Sequence, residues 1–273
     1  MTLDPLEQIR ILESDQILPF ETWSDRSAAP TIELDDIRCI RHPFLVTTLE
    51  DSQYLLLADT DFFLSLAEAG LDHVPAQVCP PSQISLQPTR LGLVDFTGDS
   101  LDRLCARHPD QIKSAGESPS SDGWLNMRFD FADQASRDLL IRHSQRRGCP
   151  EGLRSLHREI GRLTRIVPGI DLEAGNQTGT FSYRFGSVAS VPAFAFDDLV
   201  YAVNTESLFP HGIVDVSASF RLLDIDLPMN VLRAKTPVEE KELFLRDLLH
   251  LRQQSRRTSR YTGQVFVLNN QHP

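Results

Sequence analysis

An apolar run, Tyr54-Leu55-Leu56-Leu57, stops at Asp59, and a second carboxylate, Asp61, follows two residues on. Phe62, Phe63, Leu66 and Ala69 then recur at helical spacing as far as Gly70, a residue suited to end a helix in the left-handed conformation. Two acids therefore stand where a buried strand hands over to a helix. The helix N-terminus makes this tolerable. An Asp at the position of Asp59 can cap the first N–H groups, and Asp61 in the first turn complements the helix dipole. A carboxylate so placed can also meet Mg²⁺ or a substrate hydroxyl, and the two uses are compatible. A third acid, Glu21, closes the short strand-like piece ILPFE at 17–21.

The elements that position these acids follow from turn residues and periodicity. Residues 1–16 read as a short helix or arm. Leu34 to Ile40 reads as a short helix or strand. Phe44 to Val46 and Tyr54 to Leu57 form a hairpin across LEDSQ, and HVPAQV (73–78) is a returning strand. Residues 86–94 are strand-like, and SLDRLCARHP (100–109) is helical with Pro109 behind it. The Ser-, Gly- and Asp-rich stretch 110–124 predicts a mobile surface loop, and the polar stretch 134–147 predicts a helix. LTRIVPGIDL, GTFSYRF and SVPAFAF are short strands, with the helix FDDLVYAVNTES behind them. FRLLDIDLPMNVL is strand-like and precedes the amphipathic helix PVEEKELFLRDLLHLRQQ. GQVFVLNN is a last strand. The class is α+β. The expected domains are 1–108, a loop or linker at 109–133, and a mixed α/β domain at 134–273 that completes the cleft.

With 273 residues, 41% apolar and 24% charged, the chain has the composition of a soluble globular protein. No apolar stretch reaches the roughly 20 residues that span a bilayer. The acidic start MTLDPLEQIRILESDQ lacks a basic secretory n-region, so the expected compartment is the cytoplasm. A net charge of −11 opposes a nucleic-acid partner, because phosphate binding needs a basic surface. Cys39, Cys79, Cys105 and Cys149 have no zinc-site spacing and read as free thiols. Arg252, Arg256, Arg257 and Arg260 complement the C-terminal end of the long helix.

The order LPFE, hairpin, YLLLAD, helix, Gly70, VPAQV resembles the ParB/sulfiredoxin superfamily, in which a strand enters a helix through a DGxHR-type turn that faces nucleotide phosphates. Here the turn reads Asp59, Thr60, Asp61, Phe62, Phe63. The free serine kinase branch is the most similar. Its catalysis rests on a Glu near the N-terminus and on the Asp that opens the turn, and Glu21 and Asp59 stand in those places. The family's PpKxTR-type loop corresponds to the stretch around His211, Gly212, Ile213 and Val214, with Arg221 the one basic residue left close by.

The resemblance implies a phosphotransferase that uses ATP or ADP with Mg²⁺ on a small hydroxy amino acid such as L-serine. Glu21 would be the general base, its pKa raised by partial burial. Asp59 and Asp61 would be the metal carboxylates, with Thr60, Asp61, Phe62, Phe63, His211 and Arg221 at the nucleotide. Asp61 repels phosphate unless Mg²⁺ bridges the two. Of Phe62 and Phe63, one packs into the core and the other covers the pocket. Phosphoryl transfer is mostly positioning and charge neutralisation, so the lost Lys and Arg weigh on this reading. The alternative is a non-catalytic small-molecule-binding or regulatory protein on the same fold. A ParB-type nucleic-acid binder is a third reading, disfavoured by charge.

Overall fold

The computed structural model describes residues 5–22, 33–50, 52–114, 124–132, 135–142, 148–168, 185–254, 258–261 and 265–268. The chain forms two compact units, one of Met1–Ser85 with Val216–Pro273 and one of Leu86–Asp215. The fold is α+β. This division differs from the expected 1–108 and 134–273. The chain leaves the first unit near 85 and returns at 216, so Leu222, Ile225, Leu227, Met229, Leu232, Leu245 and Leu249 share one core with Ile11, Phe44, Leu56 and Leu66. A unit interrupted in this way has no composition shift to announce it.

The first unit is built on a five-stranded mixed sheet in the order Ile9–Glu13, His73–Val78, Phe44–Thr48, Tyr54–Leu56, Ile17–Pro19. Phe44–Thr48 is central, and four of its five residues are buried, as its apolar run dictates. The expected hairpin is present, with Val46 opposite Leu56 and Thr48 opposite Tyr54. Pro75 lies within the returning strand, yet the parallel ladder to the central strand starts only at Ala76. The missing N–H of proline thus costs that ladder nothing. The expected N-terminal helix or arm is instead a single turn, Pro5–Gln8, followed by the edge strand Ile9–Glu13. Its Ile9, Ile11 and Leu12 are buried, which is worth more than any local helical preference. Helix Val238–Gln254 lies over this edge strand and buries Lys241, Leu245 and Leu249 along one face. Buried Lys241 donates to the Leu232 carbonyl at 2.6 Å.

The second unit is a six-stranded antiparallel sheet in the order Ile166–Val167, Thr89–Leu93, Ser187–Val191, Trp124–Phe131, Ser136–Arg142, Ile112–Ser114. Helices Gly98–Arg107, Glu151–Leu163 and Phe196–Asn204 accompany it. Two expectations are corrected here. The stretch 134–147 contains the strand Ser136–Arg142, because Leu139 and Ile141 alternate inward with a period of two. The linker at 109–133 contains the strands Ile112–Ser114 and Trp124–Phe131; the rest of the expected loop, 115–123, lies outside the described residues. So does most of GTFSYRF. All four cysteines are free, with Cys79 and Cys149 buried. No described helix is long and apolar enough to cross a membrane.

Candidate functional site

Tyr54–Leu56 runs on through Leu57, whose N–H bonds to the Leu45 carbonyl at 2.8 Å, and delivers Asp59 to the first turn of helix Thr60–Glu68. Asp59 is left-handed, with φ 62°, and its carbonyl accepts from the N–H of Phe63 at 2.9 Å. Its carboxylate does not cap the helix, contrary to the sequence expectation. A capping side chain needs an extended backbone at this position, and the left-handed turn aims the group elsewhere. The carboxylate is 52% exposed, and its Oδ2 lies 3.5 Å from Nη2 of Arg221.

Glu21 reaches the same end of the sheet by a different strand. Ile17–Pro19 pairs in parallel with Tyr54–Leu56, with Pro19 level with Leu56. Two residues further on stands Glu21, and three residues beyond Leu56 stands Asp59. Parallel neighbours end on one side, so the register carries both acids to one sheet end. Glu21 is only 7% exposed.

The helix start divides its remaining residues as its amphipathic pattern requires. Thr60 and Phe63 are buried, Asp61 is half-buried, and Phe62 is 39% exposed. Phe44 contacts both rings, Phe63 edge-on at 5.5 Å between centroids and Phe62 tilted at 5.8 Å. Phe63 is the core ring of the expected pair, and Phe62 lies outside the core against Phe44. The carbonyl of Asp61 accepts from Ser65 Oγ at 2.7 Å, which ties down the first turn.

Arg221 opens the short strand Arg221–Leu223, which pairs in parallel with Val265–Leu268. Its Nε is buried and has no hydrogen-bond partner among the described residues. A buried guanidinium donor left so is costly, and a ligand oxygen would relieve it. Beyond this strand, Asp224 and Asp226 are both left-handed. Arg41 pairs with the Asp224 carboxylate, His42 Nδ1 accepts from the Asp224 N–H at 3.1 Å, and Arg252 pairs with Asp226 at 3.8 Å. Arg252 thus braces this loop as well as its own helix end; Arg256 and Arg257 lie outside the described residues. Gln77, which the sequence reading passed over, bonds the backbone on both sides of Arg221. A lone amide in the apolar run HVPAQV was the available signal.

His211 belongs to the other unit. There its charge acts on His157, whose pKa is pushed down to about 4, chiefly by burial and secondly by His211. The structure therefore brings Asp59, Thr60, Asp61, Phe62, Phe63 and Arg221 into one neighbourhood at the sheet end that Glu21 also reaches, and places His211 in a different unit.

No protein-family model matches the sequence. No curated protein matches it either. Solved structures do match in fold. SbnI from Staphylococcus aureus, solved with a C-terminal truncation, superposes with a TM-score of 0.68 at 17% identity, over 90% of this chain and 97% of its own. A mutant free serine kinase in complex with ADP gives 0.60 at 11% identity, over 82% of this chain and 94% of its own. A conserved hypothetical protein from Pyrococcus furiosus gives 0.58 at 14%, over 82% and 97%. The chain shares its fold with free serine kinase.

Proposed function

We propose that the chain is a nucleotide-dependent phosphotransferase of the free serine kinase kind, on a ParB/sulfiredoxin-like first unit, with a small hydroxy amino acid such as L-serine as acceptor. The observation that carries this is the parallel register of Ile17–Pro19 with Tyr54–Leu56, which sends Glu21 and Asp59 to one end of the sheet. Arg221 at Asp59 supplies a cation where the turn itself has none. The shared fold, and the ADP bound in one such neighbour, support a nucleotide as the phosphate source.

In this reading the acceptor oxygen attacks the terminal phosphorus, the bond from phosphorus to the nucleotide oxygen breaks, and Glu21 takes the hydroxyl proton. Arg221 faces the phosphates, whose charge a guanidinium matches in a planar fork. The first-turn N–H groups of the helix and the exposed Phe62 ring complete the nucleotide side. Among the described residues no three His, Cys, Asp or Glu side chains converge as a metal cage. Mg²⁺ does not require one, since it is ordinarily held by one or two carboxylates and substrate phosphates, and Asp59 and Asp61 fit that donor set. Bound there, it would neutralise phosphate charge. His211, in the other unit, is not needed for this scheme.

One observation favours a second reading, a binding protein without transfer. The first turn carries the carboxylate Asp61 where the related turn has basic residues. A single assay separates the two. The protein is incubated with L-serine, Mg²⁺ and either ATP or ADP, and the mixture is read by mass spectrometry for phosphoserine. Thermal shift with the same compounds reports binding. Phosphoserine formation supports the kinase, whereas a nucleotide-dependent rise in melting temperature without product supports the binding protein. Neither product nor shift defeats both.

A further inference from the structure

Gln77 has no exposed surface, and it lies near the end of the buried strand His73–Val78. Its backbone stands in register with Ile9 on one side and Leu45 on the other, inside the sheet. Its side chain instead reaches a segment 143 residues further along the chain. Nε2 donates to the Phe220 carbonyl at 3.1 Å, and Oε1 accepts from the Leu222 N–H at 2.9 Å. The two bonds straddle Arg221, one to the residue before it and one to the residue after. The primary amide carries donor and acceptor side by side in one plane, so it matches a C=O and an N–H of one strand edge as a neighbouring backbone would.

We propose that Gln77 is a positioning residue for Arg221, a side-chain clip that fixes the backbone from which the guanidinium reaches Asp59. The strand Arg221–Leu223 has its ladder to Val265–Leu268, and the Gln77 amide supplies bonds from the five-stranded sheet. Through it the register that carries Asp59 also places Arg221. The kinetic arm of the test rests on the phosphotransfer reading; the structural arm does not.

The experiment uses the full chain and the substitution Gln77→Met, which keeps length and burial and removes both backbone bonds, along with the Nε2 contact to Cys79 Sγ at 3.4 Å. The structural readout is solvent exchange of the Arg221 Nε–H by NMR, the signal being assigned by its absence in Arg221→Lys. That atom is buried in the intact protein, so its exchange should quicken by at least about tenfold once the backbone is released. Leu104→Ala, a core truncation in the other unit, controls for general loss of stability and should leave the signal unchanged. The kinetic readout is phosphoserine formation. Gln77→Met should lower kcat on the order of 10²-fold, the cost of roughly 1 Å of misplacement. Adding Arg221→Lys should lower it little further, since residues that act as one unit are not additive. Should Gln77→Met fail to fold, Gln77→Asn carries the same test, because it keeps a polar amide but is one methylene too short to reach both Phe220 and Leu222. Unchanged Arg221 exchange overturns the proposal, as do kcat losses that multiply. A wild type without turnover defeats the kinase reading alone, and the exchange measurement then decides the positioning role by itself.

Discussion

The two ends of helix Thr60–Glu68 are built on opposite plans. At the C-terminal end Gly70 is left-handed, with φ 84°; its N–H bonds to Ala67 at 3.0 Å, and Leu71 N–H bonds to Leu66 at 3.0 Å. That is a complete Schellman arrangement, and it uses a residue for which the conformation is free. At the N-terminal end the left-handed residue is Asp59, which a side chain makes less comfortable, and its carboxylate gives no cap. It faces Arg221. One end is finished for stability. The other gives up a cap to hold a charge in place, the pattern found where backbone strain serves a site.

If that contrast is functional, the largest effects belong to the acids at the N-terminal end. Glu21→Ala removes the proton acceptor and should cost on the order of 10²–10⁴ in phosphoserine formation, the usual worth of general base catalysis. Asp59→Asn keeps the shape and removes the charge, so turnover should fall while circular dichroism and the melting temperature stay close to wild type. Asp59 is half exposed and its contact with the mostly buried Arg221 is long, so loss of the pair should cost little stability. Full activity in both variants would reduce the N-terminal end to an ordinary helix start.

A smaller and sharper test is Asp61→Gly, with nucleotide affinity read by calorimetry with and without Mg²⁺. Asp61 either repels phosphate from the first turn or helps hold the cation. Affinity should rise roughly tenfold without Mg²⁺ if it repels, the equivalent of about 1.4 kcal/mol. It should fall in Mg²⁺ if it ligates. No change in either condition would remove Asp61 from the nucleotide and from the cation alike.

Much of this contrast is legible in the sequence, and unevenly so. The strand, the helix and its glycine stop follow from Tyr54–Leu57, the spacing of Phe63 and Leu66, and Gly70, because those signals are local. The side-chain cap expected of Asp59 is not there, since residue type specifies the cap position and not its backbone angle. Gln77 bonds the residues on either side of Arg221 across 143 and 145 residues of sequence, and no periodicity records such a contact. The return of 216–273 to the first unit is hidden for the same reason. Ser136–Arg142 reads as helix by polarity alone, and only two inward residues, Leu139 and Ile141, mark it as a strand. How Glu21 comes to the same sheet end as Asp59 required the parallel register, which pairs strands that are not adjacent in sequence.

The smallest effects compare the two left-handed residues directly. A Cβ added at Gly70 meets nothing within 4 Å, so any cost of Gly70→Ala is backbone strain without a clash. That strain should destabilise by about 1 kcal/mol and lower the melting temperature by about 2–4 °C. Gly70→Asn should cost less, because Asn adopts the left-handed conformation more readily than Ala. Asp59→Gly is the mirror experiment. It relieves the side-chain penalty at φ 62° and removes only a half-exposed ion pair, while the greater entropy of glycine in the unfolded chain offsets part of the gain. Its melting temperature should therefore match or slightly exceed that of the wild type, even as phosphoserine formation is lost. A clear drop in the melting temperature of Asp59→Gly, equal to that of Gly70→Ala, would mean that Asp59 serves the fold as Gly70 does. The two ends of the helix would then be alike after all.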